Sequence, residues 1–286
     1  MWNISPSPIF TNGLKPSETH STIFSMSATG GLDEAPEKAK PYGPLGLCVS
    51  LAAILLLAAV LCMFTTGAFV LIDMALDGSA LTKRIIRILR GALDGGVAPS
   101  ANLELAFSFL VYAAVALAVI LVARFAGGRD FRTLIAWRPW GLWQSDRWCW
   151  LIAGGALLYS FAADFALAYF YPQSDAWFTM PQNRFSAMGL VVLAVVFAPI
   201  SEELVFRGWI YTSLRASFGY AFALFSTSAL FAFLHYEHTH LYALAVFPIG
   251  LALGAIRERT GSIKASMSFH AFYNFVACCL SFADFG

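Results

Sequence analysis

The sequence predicts an all-α fold: a polytopic transmembrane bundle of about seven spans plus one interfacial amphipathic helix. Three observations predict it. Several apolar stretches reach the roughly 20 residues that a helix needs to cross a bilayer. The 286-residue chain is 59% hydrophobic and only 12% charged, whereas soluble domains run near roughly 25% charged. The few ionisable groups inside the apolar runs recur at helical spacing. A net charge of +1 leaves no electrostatic footprint for nucleic acid or an acidic partner.

Residues 1–45 carry Pro, Ser, Thr, Gly, Lys and Glu without helical periodicity and read as a disordered tail. They lack an apolar core followed by a small-residue cleavage site, so the first hydrophobic span is expected to act as the insertion signal. Spans are expected near 46–72, 104–125, 148–171, 187–210, 219–236, 240–256 and 265–282, each bounded by charged, Pro or Gly residues. Between the first two, Leu81, Ile85, Ile88 and Leu89 share one helical face. Lys83, Arg84, Arg87 and Arg90 take the other, so Leu81 to Leu93 suits a helix lying in the membrane interface. The helices over 46–180 form an amino-terminal group, and 185–282 forms a separate carboxyl-terminal domain.

With seven spans, the tail and the loops at 126–147, 211–218 and 257–264 share one side. That side carries Lys38, Lys40, Arg129, Arg132, Arg138, Arg147, Arg215, Arg257, Arg259 and Lys264, which places the amino terminus in the cytoplasm. The cations of the interfacial helix lie opposite and vote the other way. Trp137, Trp140, Trp143, Trp148 and Trp150 cluster as an interfacial aromatic belt would. Cys48, Cys62, Cys149, Cys278 and Cys279 have no C-x-x-C or metal-type spacing and read as small buried hydrophobes.

The chemistry concentrates in three carboxyl-terminal segments. The run Ala198 to Gly208 holds Glu202, Glu203 and Arg207. Arg207 follows Glu203 by one turn and can pair with it. Glu202 points about 100° away and has no partner at helical spacing, so it reads as the reactive carboxylate beside a Glu203–Arg207 clamp. Phe231 and His235 share a face, as do His270 and Asn274. Two imidazoles, a carboxylate and an amide can hold a water, orient it for attack and donate to an oxyanion. Glu202, His235 and His270 could equally hold zinc. Taken singly, each is more ordinarily an interhelical hydrogen bond or a packing lock.

E-E-x-x-x-R at Glu202, Glu203 and Arg207, F-x-x-x-H at Phe231 and His235, and H-x-x-x-N at His270 and Asn274 resemble a known motif set. It is that of the CAAX prenyl protease 2 and bacteriocin-processing (CPBP, Abi) family of intramembrane proteases. Phe247, Gly250, Gly254 and Thr260-Gly261-Ser262-Ile263 resemble the family's linking segment. The resemblance covers roughly 185–282 and implies hydrolysis of a peptide bond in a membrane-bound, prenylated CAAX-type or other lipidated protein or peptide. It implies that Glu202 activates water, that His235 and His270 help bind it, and that Asn274 with His270 steadies the oxyanion. Members are described both as metalloproteases and as glutamate proteases. The absence of H-E-x-x-H, and the claim of Arg207 on the second carboxylate, favour a reaction that requires no cofactor, with zinc as the alternative. The expected location is a bacterial inner (plasma) membrane, spanned several times.

Asp164, in mid-span, reads as an interhelical hydrogen-bonding group. The G-x-x-x-G at Gly250 and Gly254 reads as close helix packing, and His238 and His240 as solvated loop residues. A proton- or ion-coupled transporter would use the same polar groups, but the halves show no repeat of the kind such proteins often carry. A non-catalytic immunity or scaffold protein is the third reading. One tension accompanies the seven-span scheme: His235 and His270 fall at different depths in straight helices of equal placement. Projection of 208–222 beyond the bilayer would relieve it.

Overall fold

The computed structural model describes residues 42–75, 83, 101–141, 146–170, 184–236 and 240–283. The tail up to residue 41, the interfacial helix apart from Lys83, Trp143, His238 and the side chains of Asp164 and His240 lie outside what it describes. The described residues are all helix and short connection, with seven long helices.

The first helix, α1 (Pro44–Ala75), opens on a proline, which costs nothing where the first N–H groups are unpaired anyway. It packs along α2 (Ala101–Gly127) through a core that includes Ile54, Ala58, Ala114, Ala118 and Ala123. Small residues there let two backbones approach. The outer surface of α1 leaves Leu55, Met63 and Phe64 between 65% and 76% exposed, a face suited to lipid rather than water. On α3 (Arg147–Phe170), Leu151, Leu158 and Phe165 form a similar exposed stripe at seven-residue spacing. Its other side, at Cys149, Ile152 and Ala153, meets Ile249, Leu253 and Ile256 of α6 (His240–Thr260).

The central element is α4, a 35-residue rod from Arg184 to Phe218. It winds loosely in two π-helical segments, Leu193–Phe197 and Leu204–Ile210. The stretch between them, Ala198–Glu203, carries Pro199 and both carboxylates. At 1.5 Å per residue the rod is roughly 50 Å long, well beyond the ~30 Å hydrocarbon core. Gly219, at φ 85°, ends it in a conformation that glycine adopts without a steric cost. The chain then turns into α5 (Tyr220–Leu234), α6 and α7 (Ile263–Ala283).

By length and composition, four stretches qualify to cross a membrane: Pro44–Ile72, Glu104–Leu134, Arg147–Leu167 and Arg184–Phe218. The protein is therefore a multi-pass integral membrane protein. The remaining three expected spans exist as helices of a different character. Helix α5 has 15 residues, and α6 and α7, with 21 each, carry Arg257, Glu258 and Arg259, and Lys264, His270 and Asn274.

The loops expected to share a side do meet at one end of the bundle. Ala136, at φ 51°, accepts from the Ile263 amide at 3.1 Å, and the Ser262 hydroxyl donates to the Arg138 carbonyl at 2.9 Å. Arg215 pairs with Glu258 at 3.0 Å, and Arg259 pairs with Asp146. Aromatic rings carry these cations: Arg124 and Arg132 lie against Phe131, Lys264 against Trp137, and Arg147 and Arg259 against Trp148.

Candidate active site

Helix α4 presents its two carboxylates to different surroundings. The Glu203 side chain is fully buried, whereas that of Glu202 retains 13% of its surface. Arg207 Nη1 donates to Glu203 Oε1 at 2.9 Å, and Nη2 donates to the Gly250 carbonyl at 3.0 Å. The expected clamp is thus present and extends to a second helix, α6. Glycine at 250 brings the backbone of α6 that close, since a Cβ there would stand 3.2 Å from Ser228 Cα on α5.

His270, on α7, lies between the two carboxylates. Its Nδ1 is 3.1 Å from Glu203 Oε1 and its Nε2 is 3.7 Å from Glu202 Oε2. A carboxylate already paired with Arg207 is an acceptor, so Nδ1 carries the proton and donates to it. Nε2 then faces Glu202 across a gap too long for a direct hydrogen bond.

His235 caps the end of α5, with Nδ1 2.7 Å from the Phe231 carbonyl. A carbonyl only accepts, so Nδ1 is again the protonated nitrogen and Nε2 the basic one. Phe231 fills the middle of the cluster at 2% exposure. Its ring centroid lies 4.5 Å from that of His235 and 5.8 Å from that of His270, and Arg207 Cζ sits 4.6 Å away. Both histidines therefore flank one ring. The two histidines, expected at different depths in seven equal spans, thus stand beside the same side chain, at the end of an α5 that has only 15 residues.

Asn274 lies one turn beyond His270 and donates from Nδ2 to the Ala194 carbonyl at 2.7 Å. The cause is visible in the sequence. Pro199 has no N–H to give to a carbonyl four or five residues back, and Ala194 sits in the π-helical segment just before it. Asn274 supplies the missing donor and fastens α7 to α4 beside the carboxylates.

One contact escaped the motif reading. Tyr112, on α2, donates its hydroxyl to Glu202 Oε1 at 3.2 Å. The available signal was the phenol itself, in the middle of an apolar span where a buried hydroxyl needs a partner. Nothing at helical spacing could say which partner.

For zinc, the expected ligand set was Glu202, His235 and His270. Among the described residues, no three His, Cys, Asp or Glu side chains are grouped so as to hold a metal ion. A catalytic zinc takes three protein ligands, and the residues as placed do not offer them. No step is derived through a metal.

The fold and the cluster together define a class: multi-pass membrane proteins that gather carboxylates, an arginine and histidines inside the helical bundle. Within it the assignment is specific, because residues 184–276 match the family model for type II CAAX prenyl endopeptidases, Rce1-like. That segment is a domain of this family, and the motif resemblance is borne out over it. The family is one of intramembrane proteases, so the protein is an enzyme that acts on protein substrates. No curated protein and no solved structure matches the chain.

Proposed function

We propose that the protein is an endopeptidase in which Glu202, His235 and His270 activate a water against a peptide bond of a membrane-associated, CAAX-type lipidated substrate. The observation that carries this reading is the 3.7 Å gap between Glu202 Oε2 and His270 Nε2. A separation of this size, between a carboxylate and a basic ring nitrogen, suits a water that donates to both. Glu202 takes one proton as that water attacks the scissile carbonyl, and the proton then passes to the departing amine. His235 Nε2 is an alternative acceptor for one of the water's two O–H groups. Glu203, neutralised by Arg207, holds His270 in the tautomer that leaves Nε2 basic. Asn274 keeps α7 in register, and its second amide hydrogen is a candidate donor to the oxyanion.

The catalytic domain in this reading is 185–282, and the helices of 46–180 complete a seven-span bundle. The amino terminus is cytoplasmic, because the end of the bundle that carries Arg129, Arg132, Arg138, Arg215, Arg259 and Lys264 is the cation-rich one. The membrane is of the bacterial inner (plasma) type, and the chemistry requires no cofactor.

The test is cleavage of a fluorogenic farnesylated peptide by protein reconstituted in liposomes. Glu202→Gln and His235→Ala should each lower kcat by at least about a hundredfold, with the thermal midpoint nearly unchanged. Treatment with a metal chelator should leave the wild-type rate intact. Loss of activity on chelation, restored by zinc, would replace this mechanism with a metal site. Full activity of Glu202→Gln would overturn it outright.

A further inference from the structure

Helix α2 lies outside the segment that matches the family, yet it reaches the reactive carboxylate. We propose that Tyr112 is a positioning residue of the site: its hydroxyl fixes the Glu202 carboxylate so that Oε2 faces His270. The inference rests on the reading of Glu202 as the general base.

The two oxygens of Glu202 have separate surroundings. Oε1 accepts from Tyr112 at 3.2 Å, and Oε2 stands 3.7 Å from His270 Nε2. A carboxylate held on one oxygen cannot rotate freely about its last bond, so the other keeps its lone pairs directed into the gap. The clamp beside it supplies no such restraint, because Arg207 donates to Glu203 and Gly250. Neither His235 nor Asn274 is bonded to Glu202: Nδ1 of the first serves the Phe231 carbonyl, and Nδ2 of the second serves that of Ala194.

The approach of Tyr112 is built into the helix pair. Leu105, Phe109 and Tyr112 lie on one face of α2, at positions i, i+4 and i+7. Each meets α4 in turn. Leu105 Cδ2 would stand 2.8 Å from a Cβ at Gly189, so the bare glycine lets the leucine tip lie against α4 in this rotamer. Phe109 packs edge-on against Phe197 with ring centroids 5.0 Å apart. The third contact of this row is the phenol on Glu202. The polar contact thus continues a row of two apolar ones, which lie on the stretch of α4 just before the carboxylates.

The experiment compares wild type, Tyr112→Phe, Glu202→Gln and the double variant in liposomes, with the farnesylated peptide as substrate. Tyr112→Phe removes one oxygen and keeps the ring, so the thermal midpoint should stay within about 2 °C of wild type. We expect kcat to fall about tenfold with KM within twofold, because a lost restraint on the base affects the chemical step and not substrate binding. In the Glu202→Gln background the same change should leave the residual rate unaltered. An unchanged kcat, or a rise in KM alone, would overturn the proposal. So would an equal loss in both backgrounds, which would place the action of Tyr112 elsewhere. Phe109→Leu, a packing control on the same face, should keep kcat within twofold. If it loses as much as Tyr112→Phe, the effect is helix packing and the proposal fails. Failure of the general-base reading would show separately, as full activity in Glu202→Gln itself.

Discussion

At the scale of single residues, the two adjacent carboxylates differ in burial and in partners. Glu203 and Arg207 are both fully buried and one turn apart, and a buried charge is tolerable only while its partner remains. Replacing Arg207 with Met keeps the length and removes the charge, leaving the buried Glu203 carboxylate without its cation. The expected cost is about 3–5 kcal/mol, read as a lower thermal midpoint in detergent and a smaller yield of folded protein. Adding Glu203→Gln should recover part of that loss, since the two side chains form one interaction. A double variant no more stable than Arg207→Met would show that the pair is not the unit described here. The pair was legible in the sequence because i, i+4 spacing on one helix is a local property. The role of Phe231 was legible only in part: His235 follows it by one turn, but His270 and Arg207 reach its ring from two other helices, and no spacing along the chain encodes that.

Between helices, close approach of α5 and α6 decides whether Arg207 can reach a carbonyl on α6. The two glycines of the G-x-x-x-G face α5 differently. A Cβ at Gly250 would meet Ser228 at Cβ, 3.1 Å, and at Cα, 3.2 Å, whereas one at Gly254 would meet only the tip of Leu224, at 2.5 Å. Backbone cannot step aside, but a leucine methyl can take another rotamer. Gly250→Ala should therefore cost about 1–3 kcal/mol and lower kcat, because the Gly250 carbonyl that receives Arg207 moves with its helix. Gly254→Ala should be milder in both respects; equal damage from the two would refute this account of the interface. Helix identity was readable from hydrophobic runs, and so was the packing role of these glycines. Lengths were less readable. Helix α4 was expected over 187–210 and spans Arg184–Phe218, since Thr212, Ser213 and Arg215 look like a loop by polarity but continue the rod. The reach of α2 into the site was not legible, because a tyrosine's partner on another helix leaves no periodic trace.

Across the whole molecule, the amino-terminal helices are tied to the catalytic domain at the cation-rich end, and one of those ties titrates. Asp146 precedes α3, accepts from the Cys149 amide at 3.0 Å and pairs with Arg259 at the end of α6. The hydrogen bond from Arg259 is the main reason its carboxyl is held down to about 2, from an ordinary 3.8; the Cys149 amide adds to this, and partial burial opposes it. A carboxyl whose folded pKa is depressed stabilises the fold above its unfolded pKa, and that contribution disappears as pH falls through the folded value. The window is therefore from about pH 4 down to about pH 2. Both side chains are well exposed, at 40% and 48%, so solvent screening limits the pair to about 0.2–1 kcal/mol. Asp146→Asn should melt slightly below wild type at neutral pH, in low salt, and the difference should shrink between pH 4 and pH 2.5. High salt at neutral pH should shrink it as well. Equal midpoints at neutral pH would mean that Asp146 acts mainly as a helix cap for α3, a role that asparagine fills equally well. That outcome is the less expected one, because asparagine preserves the cap but not the charge that Arg259 requires.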